Sequence, residues 1–316
     1  MPNVKETENI AKIKILGIGG GGNNAVIRII NKNVQNVETY LLNTETNILK
    51  RANTKNVLQI GKETTKGLGA GTNEYVGEKS ALESKEEIKQ ILKGTDLLFL
   101  TAGMGGGTGT GAIPVVADIA KSMNILTIGI VTKPFTFEGK KRATRADIGI
   151  SKLKENVNAL IVVLNDNLLK VVGDKTSINE AFELADDILK QGIQSITDLI
   201  TTVGEINIDF ADIQTIFEYK GKAYMGIGTA RENETLENAV RQAIENPLTE
   251  NKIDNAKGVI FNVRGGRNLG LNDINTAIKV INDRVHPEAN IMFGTVIDEE
   301  LENEIIITVI ATGIEE

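Results

Sequence analysis

The residues with the most evident chemistry form one run, Gly103-Met-Gly-Gly-Gly-Thr-Gly-Thr-Gly111. Ahead of it, Asp96-Leu-Leu-Phe-Leu-Thr101 is a short apolar segment bounded by turn signals, which predicts a buried strand. Behind it, Ala112 to Lys121 predicts a helix with Pro114 in its first turn, where a missing N–H costs nothing. A glycine loop that joins a strand end to a helix start lets backbone N–H groups approach phosphate oxygens, and the helix end adds partial positive charge. Thr108 and Thr110 supply hydroxyls for phosphate or for Mg²⁺. The run is not Gly-x-x-x-x-Gly-Lys-Ser/Thr, so it differs from the phosphate loop of ordinary NTPases. A flexible glycine linker is the plain alternative, but linkers do not sit between a buried strand and a helix.

Two further glycine clusters have the same setting. Lys12 to Ile18 predicts a first strand, followed by Gly19-Gly-Gly-Gly-Asn-Asn24 and a helix from Ala25 to about Asn33. Here Gly17-x-Gly19-x-x-Gly22 also fits the dinucleotide fingerprint, which wants an acidic residue after the second strand. That strand, Val37 to Leu42, ends in Asn43-Thr44, with Glu45 as a weak candidate. The third cluster, Gly67-Leu-Gly-Ala-Gly-Thr-Asn73, follows a strand at Val57–Ile60 and precedes a helix over 74–93. Strands at 125–131 and 159–164 end in Thr132 and Asn165, and a basic helix over 138–156 lies between them. Strands alternating with helices imply a doubly wound parallel sheet, whose ligands bind at the carboxyl ends of the strands. All three clusters, Thr132 and Asn165 therefore belong to one rim.

Ser177-Ile-Asn-Glu180 is a capping box that opens a long helix to about Thr201, with apolar positions at helical spacing on a broad face. Beyond it, Asn207-x-Asp209-x-x-Asp212 places two carboxylates three apart at a helix start, where N-terminal capping is the plain reading. The remainder predicts strands at 223–229, 258–263, 291–297 and 304–311, with helices over 233–245 and 272–284. The expected organisation is a disordered tail (1–10), a nucleotide domain (11–175), a connecting helix (176–202) and an α+β domain (203–316). Arg264-Gly-Gly-Arg267 in the last is read as a solvated turn.

Composition narrows the classes. A net charge of −7 argues against general nucleic-acid binding. The absence of Cys removes disulfides and thiolate chemistry and fits a reducing cytoplasm, and the single His286 cannot build a His metal site. No stretch reaches the length of a membrane span, and the first residues lack an apolar signal region, so neither export nor membrane insertion is expected.

Gly105-Gly-Gly-Thr-Gly-Thr-Gly111 resembles the glycine motif of the tubulin superfamily. Gly19-Gly-Gly-Gly-Asn-Asn24, Gly67-Leu-Gly-Ala-Gly71, Lys133-Pro-Phe-Thr-Phe-Glu-Gly-Lys-Lys-Arg142, Ala185-Asp-Asp187 and Asn207-Ile-Asp-Phe-Ala-Asp-Ile213 resemble the bacterial cell-division GTPases of the FtsZ family, collinearly over residues 12–313. The resemblance implies a tubulin-like α/β fold: a GTP-binding domain, a central helix and a C-terminal domain. It implies that Gly20 and Gly21 approach the phosphates and Asn24 the nucleoside. Ala70 and Gly71 would face the γ-phosphate and Mg²⁺, itself bound through the phosphates rather than by protein ligands. Gly103, Gly106, Gly107 and Thr108 would wrap the α- and β-phosphates, and Thr132, Glu138 and Arg142 the sugar and adjacent phosphate. Asn165, Phe182 and Asp186 would take the base. A carboxylate accepts from guanine N1–H and N2–H₂, whereas adenine presents an acceptor at N1, which favours GTP over ATP.

By the same resemblance, Asn207, Asp209 and Asp212 enter the GTP pocket of the next subunit and position the attacking water, so the active site is completed on head-to-tail assembly. An unclosed contact between two different faces yields a filament. Membrane-anchor and regulatory proteins of cell division would be the other partners, and the division site the location. The family usually has Ala-Asn-Pro-Glu at Thr72–Tyr75, Pro-Asn-Asp-Arg at Leu164–Asn167, Pro and Leu at Val203 and Glu205, and Lys at Gln214. These departures fall on the subunit interface. Family members carry a flexible anchoring tail after this region, whereas this sequence ends at Glu316. Two alternatives stand beside this reading: a tubulin-like scaffold that binds GTP with little hydrolysis, and a Rossmann-type NAD oxidoreductase.

Overall fold

The computed structural model describes residues 11–30, 37–168, 176–201, 208–231, 234–245, 248–266, 271–298, 301 and 304–314. The predicted tail at 1–10 lies outside them, as do Asn207, Val203, Glu205 and Arg267. Among the described residues ten strands form one sheet: β1 (Ile13–Ile18), β2 (Val37–Asn43), β3 (Val57–Gln59), β4 (Leu97–Gly103), β5 (Leu126–Lys133), β6 (Ala159–Leu164), β7 (Gly221–Ala230), β8 (Gly258–Gly265), β9 (Asn290–Ile297) and β10 (Ile305–Ile314). Their spatial order is β3-β2-β1-β4-β5-β6-β7-β10-β8-β9. The first six pair in parallel, so their carboxyl ends share one edge. A two-residue parallel pairing, Ala159 with Gly221 and Leu160 with Lys222, joins this sheet to the C-terminal strands. There β10 runs antiparallel to both β7 and β8, and β8 is parallel to β9.

The parallel strands are apolar on both faces because helices cover both. Leu97, Phe99, Ile161 and Val163 pack on one side, and Leu98, Leu100, Leu160 and Val162 on the other, as the two-residue period of a strand requires. The first side carries α1 (Gly19–Ile30) and α9 (Ile178–Thr201). The second carries α4 (Glu74–Glu83), α5 (Lys85–Leu92), α6 (Thr108–Ser122) and α7 (Lys140–Lys154). Short helices α2 (Thr46–Arg51), α3 (Lys62–Thr65) and α8 (Asn165–Leu168) link them. After α9 come α10 (Phe210–Glu218), α11 (Leu236–Ile244) and α12 (Leu271–Asn282), the last two over a third apolar cluster on β7, β8 and β10.

The capping box at the head of α9 is present: Ser177 N donates to Glu180 Oε2 at 2.6 Å, and Glu180 N to Ser177 Oγ at 3.2 Å. Midway along α9, a Cβ on Gly192 would sit 2.6 Å from Met225 Sδ of β7 and 3.4 Å from Ile130 of β5. The missing side chain thus lets one helix lie against both halves of the sheet.

Four boundaries differ from the sequence expectation, each because tertiary contacts outweigh local propensity. Helix α1 begins at Gly19 rather than Ala25, so the glycines are its first turn. Helix α6 begins at Thr108, which moves Pro114 from the first turn into the interior. The 74–93 helix breaks at Ser84, whose Oγ accepts from Gly61 N at 3.1 Å. Glu138 lies in a 3₁₀ turn (Thr136–Glu138), and Gly139, at φ +100°, separates it from α7. The C-terminal elements fall within about three residues of their predicted ends.

Candidate nucleotide site

The order β3-β2-β1-β4-β5-β6 reverses direction between β1 and β4, and that switch point is where open α/β sheets bind ligands. Glycine clusters leave both strands there and pack backbone to backbone. A Cβ on Gly22 would fall 2.2 Å from Thr101 O, and one on Gly21 3.2 Å from the Gly103 Cα. Between β1 and β2 a buried amide chain fixes the fork. Asn23 Nδ2 donates to Gly17 O at 2.7 Å, and Asn43 Nδ2 donates to Asn23 Oδ1 at 2.7 Å. Glu45 N in turn donates to Asn43 Oδ1 at 3.2 Å.

The second wall is the 67–73 loop against the 103–111 run. Gly107 N donates to Gly71 O at 3.0 Å, and the carbonyls of Gly71, Ala70 and Asn73 all lie within 2.9 Å of where a Gly107 Cβ would be. Met104 N donates to Thr132 O at 2.9 Å, and Gly105 N to Thr110 Oγ1 at 2.7 Å. Thr110 is therefore occupied in shaping the loop and does not line the cleft, contrary to the ligand role expected for it. Thr108 Oγ1 does line the cleft, 2.6 Å from Thr44 Oγ1. Gly20, Gly71 and Gly106 behave oppositely to the packed glycines: a Cβ on any of them meets nothing within 4 Å. They leave open space beside backbone N–H groups, which is room for an anion.

The third wall comes from β5, β6 and α9. Glu138 Oε1 accepts from Phe135 N at 2.9 Å, and its Oε2 lies 3.0 Å from Arg142 Nε. Phe182 meets Phe135 edge-on, with ring centroids 5.3 Å apart. Asn165 is buried, and its Oδ1 has no hydrogen-bond partner among the described residues. A buried acceptor without a protein donor on the cleft wall is open to a donor from a ligand or a water. Burial pushes the Asp186 carboxyl up to about 7, against the opposing pull of Arg28.

These walls enclose one cleft of about 470 Å³, the size of a small-molecule site. Gly20, Gly21 and Asn24 line it from α1, Ala70 and Gly71 from the 67–73 loop, and Gly103, Gly106, Gly107 and Thr108 from the central run. Thr132, Glu138, Arg142, Asn165, Phe182 and Asp186 complete it. Asn43, Thr44 and Ile48 also line it and were not singled out from the sequence; the Asn43-Thr44 strand end was the available signal.

Asp209 and Asp212 do not line the cleft. Asp209 caps α10, its Oδ1 accepting from Asp212 N at 2.8 Å, so the capping expected of it is present. Asn207 lies outside the described residues. Asp186 stands near the start of α9 and Thr201 at its end, roughly 22 Å further along the axis at about 1.5 Å per residue. Arg264 sits 2.6 Å from Asp298 and 3.3 Å from Asp198, which makes it an ion-pair residue.

A parallel-sheet core with a glycine-lined anion cleft at its switch point defines a nucleotide-binding α/β protein. Its sequence matches the tubulin/FtsZ family, GTPase domain, over residues 12–173 and the FtsZ family, C-terminal domain, over 221–315. The chain belongs to the tubulin/FtsZ family. Among solved structures it is similar to the empty FtsZ dimer of M. jannaschii, at 38% identity and a TM-score of 0.92, over 96% of this chain and 89% of that one. The W319Y mutant of the same FtsZ gives 38% identity and 0.91, over 96% and 91%. GDP-bound CetZ1 of Haloferax volcanii shares the fold, at 19% identity and 0.81, over 96% and 95%. Membership makes the chain a GTPase-family protein that binds guanine nucleotide, and the oxidoreductase alternative is not favoured.

Proposed function

We propose that this chain is an assembly-dependent GTPase of cell division. GTP occupies the cleft, with its phosphates on the N–H groups around Gly20, Gly71 and Gly106–Thr108, its sugar near Thr132, Glu138 and Arg142, and its base at Asn165, Phe182 and Asp186. Mg²⁺ would be held through the phosphates, with the hydroxyls of Thr108 and Thr44 the side-chain oxygens beside them. The units 11–175 and 203–316 are joined by α9.

One observation carries the reading: the cleft surrounds its phosphate cradle with backbone and hydroxyls, while Asp209 and Asp212 stand outside it, beyond the far end of α9. Phosphoryl transfer needs a group to orient the water, in line with the bond between the γ-phosphorus and its bridging oxygen. Head-to-tail stacking brings Asp209, Asp212 and Asn207 of one copy to the cleft of the next. Water then adds to the γ-phosphorus as the bridging bond breaks, and GDP and phosphate leave. The M. jannaschii relative described as a dimer supports self-assembly as the mode. The location at the division site and the anchoring and regulatory partners belong to the same proposal. No helix of the described residues is long and apolar enough to cross a membrane.

The test is GTP turnover per chain against protein concentration with Mg²⁺ present. A rate that is near zero at low concentration and rises above a threshold is expected. A constant specific rate means that each chain is complete alone and refutes the shared site. Asp212→Ala should leave GDP affinity within about twofold and lower turnover at least about a hundredfold, as loss of a transition-state group does. Unchanged turnover removes Asp212 from catalysis.

A further inference from the structure

Arg28 lies on α1, outside the cleft, and is the cation facing three carboxylates of α9. Its Nε is 3.8 Å from Asp186, Nη1 3.8 Å from Asp187 and Nη2 3.8 Å from Glu183. The side chains of Glu183 and Asp187 are 62% and 40% exposed, so water serves them. That of Asp186 is 14% exposed and turned into the cleft wall, so Arg28 is its principal source of compensation. Helix α1 opens on the phosphate side of the cleft and α9 on the opposite wall, and this contact ties them together.

We propose that Arg28 is a positioning residue of the base pocket: it keeps the Asp186 carboxylate charged and accepting, and thereby sets the preference for guanine over adenine. The inference rests on the placement of the base at Asp186. A charged carboxylate accepts from N1–H and N2–H₂ of guanine. A protonated one presents O–H to adenine N1 and C=O to adenine N6–H₂, so the acid form complements the wrong base. The charged groups facing Asp186 are Arg28 from α1, which favours ionisation, and Glu183 and Asp187 from α9, which oppose it. Burial opposes it most, leaving the empty pocket balanced near neutral pH.

The experiment measures dissociation constants of GDP and ADP by calorimetry on nucleotide-stripped protein between pH 6 and 8.5. For the native chain, GDP affinity should fall about tenfold from pH 8 to pH 6, as the carboxylate titrates. Arg28→Gln should move the profile up by about one pH unit, weakening GDP about fivefold at pH 7, recovering by pH 8.5 and narrowing the GDP-over-ADP ratio. Arg28→Lys should restore much of the native profile, and Asp187→Asn should shift it down. Arg28→Gln and Asp187→Asn profiles that both superimpose on the native one, with Asp186→Asn weakening GDP, overturn the role of Arg28 and leave the base placement standing. Asp186→Asn with native GDP affinity instead overturns the base placement itself. Should Arg28→Gln fail to fold, the exposed Asp187→Asn decides alone, and an unshifted profile overturns the proposal.

Discussion

Gly20→Ala separates room left for a ligand from room needed by the fold. In this structure a Cβ on Gly20 meets nothing within 4 Å, whereas one on its neighbour Gly22 would strike Thr101 O at 2.2 Å. Gly20 lies in the first turn of α1, so alanine there limits the unfolded chain without straining the folded one. Nucleotide-free protein should therefore be as stable as the native chain or up to about 1 kcal/mol more stable. The methyl, however, occupies the space through which, in the proposed placement, a phosphate oxygen reaches backbone N–H groups. Loss of one hydrogen bond to a charged oxygen is worth about 1.5–3 kcal/mol, or roughly 10- to 100-fold in Kd. Urea unfolding without nucleotide and calorimetric GDP binding measure the two quantities. A destabilised apo protein means that the space belongs to the fold; native GDP affinity means that the phosphates lie elsewhere.

Two further outcomes follow from the same geometry. Gly77 does not itself line the cleft, but the Cβ of Gly77→Ala would lie 2.2 Å from Gly107 O, so α4 must push the 103–111 loop by about 1 Å; turnover should fall on the order of tenfold to a hundredfold, with about 1–3 kcal/mol lost from stability in urea unfolding. Asp186→Asn should stabilise the nucleotide-free chain at pH 8 by on the order of 1–3 kcal/mol and much less at pH 5. The sign follows from a carboxyl raised from 3.8 to about 7 on folding: its contribution is full below 3.8 and is lost as pH rises through 7. Equal unfolding free energies of variant and native chain at pH 8 refute that burial.

What the sequence made legible was what depends on near neighbours. Short apolar runs marked β1, β4 and β6, glycine clusters marked the strand ends, and Ser177 to Glu180 announced the start of α9. The rest depends on residues far apart in the chain. Asn43 reads as an ordinary strand end until Asn23, twenty residues earlier, accepts its amide. Arg28 reads as a surface residue of an amphipathic helix until α9 returns beside it with three carboxylates. The two-residue pairing of β6 with β7 is too short to leave any pattern, yet it makes one sheet of two expected domains.

The places where local reasoning failed are also informative about function. Glycine weakens the first turn of a helix, yet both α1 and α6 begin within glycine-rich turns, where the proposed phosphate site needs bare N–H groups. A carboxyl raised to about 7 is a poor way to stabilise a core, yet Asp186 is kept on the cleft wall with an arginine behind it. Each choice costs folding free energy and gains nothing unless a polyanion with a hydrogen-bonding base occupies the space. The two costs lie on opposite walls of one cleft, on helices that share an apolar core and across which Arg28 faces Asp186.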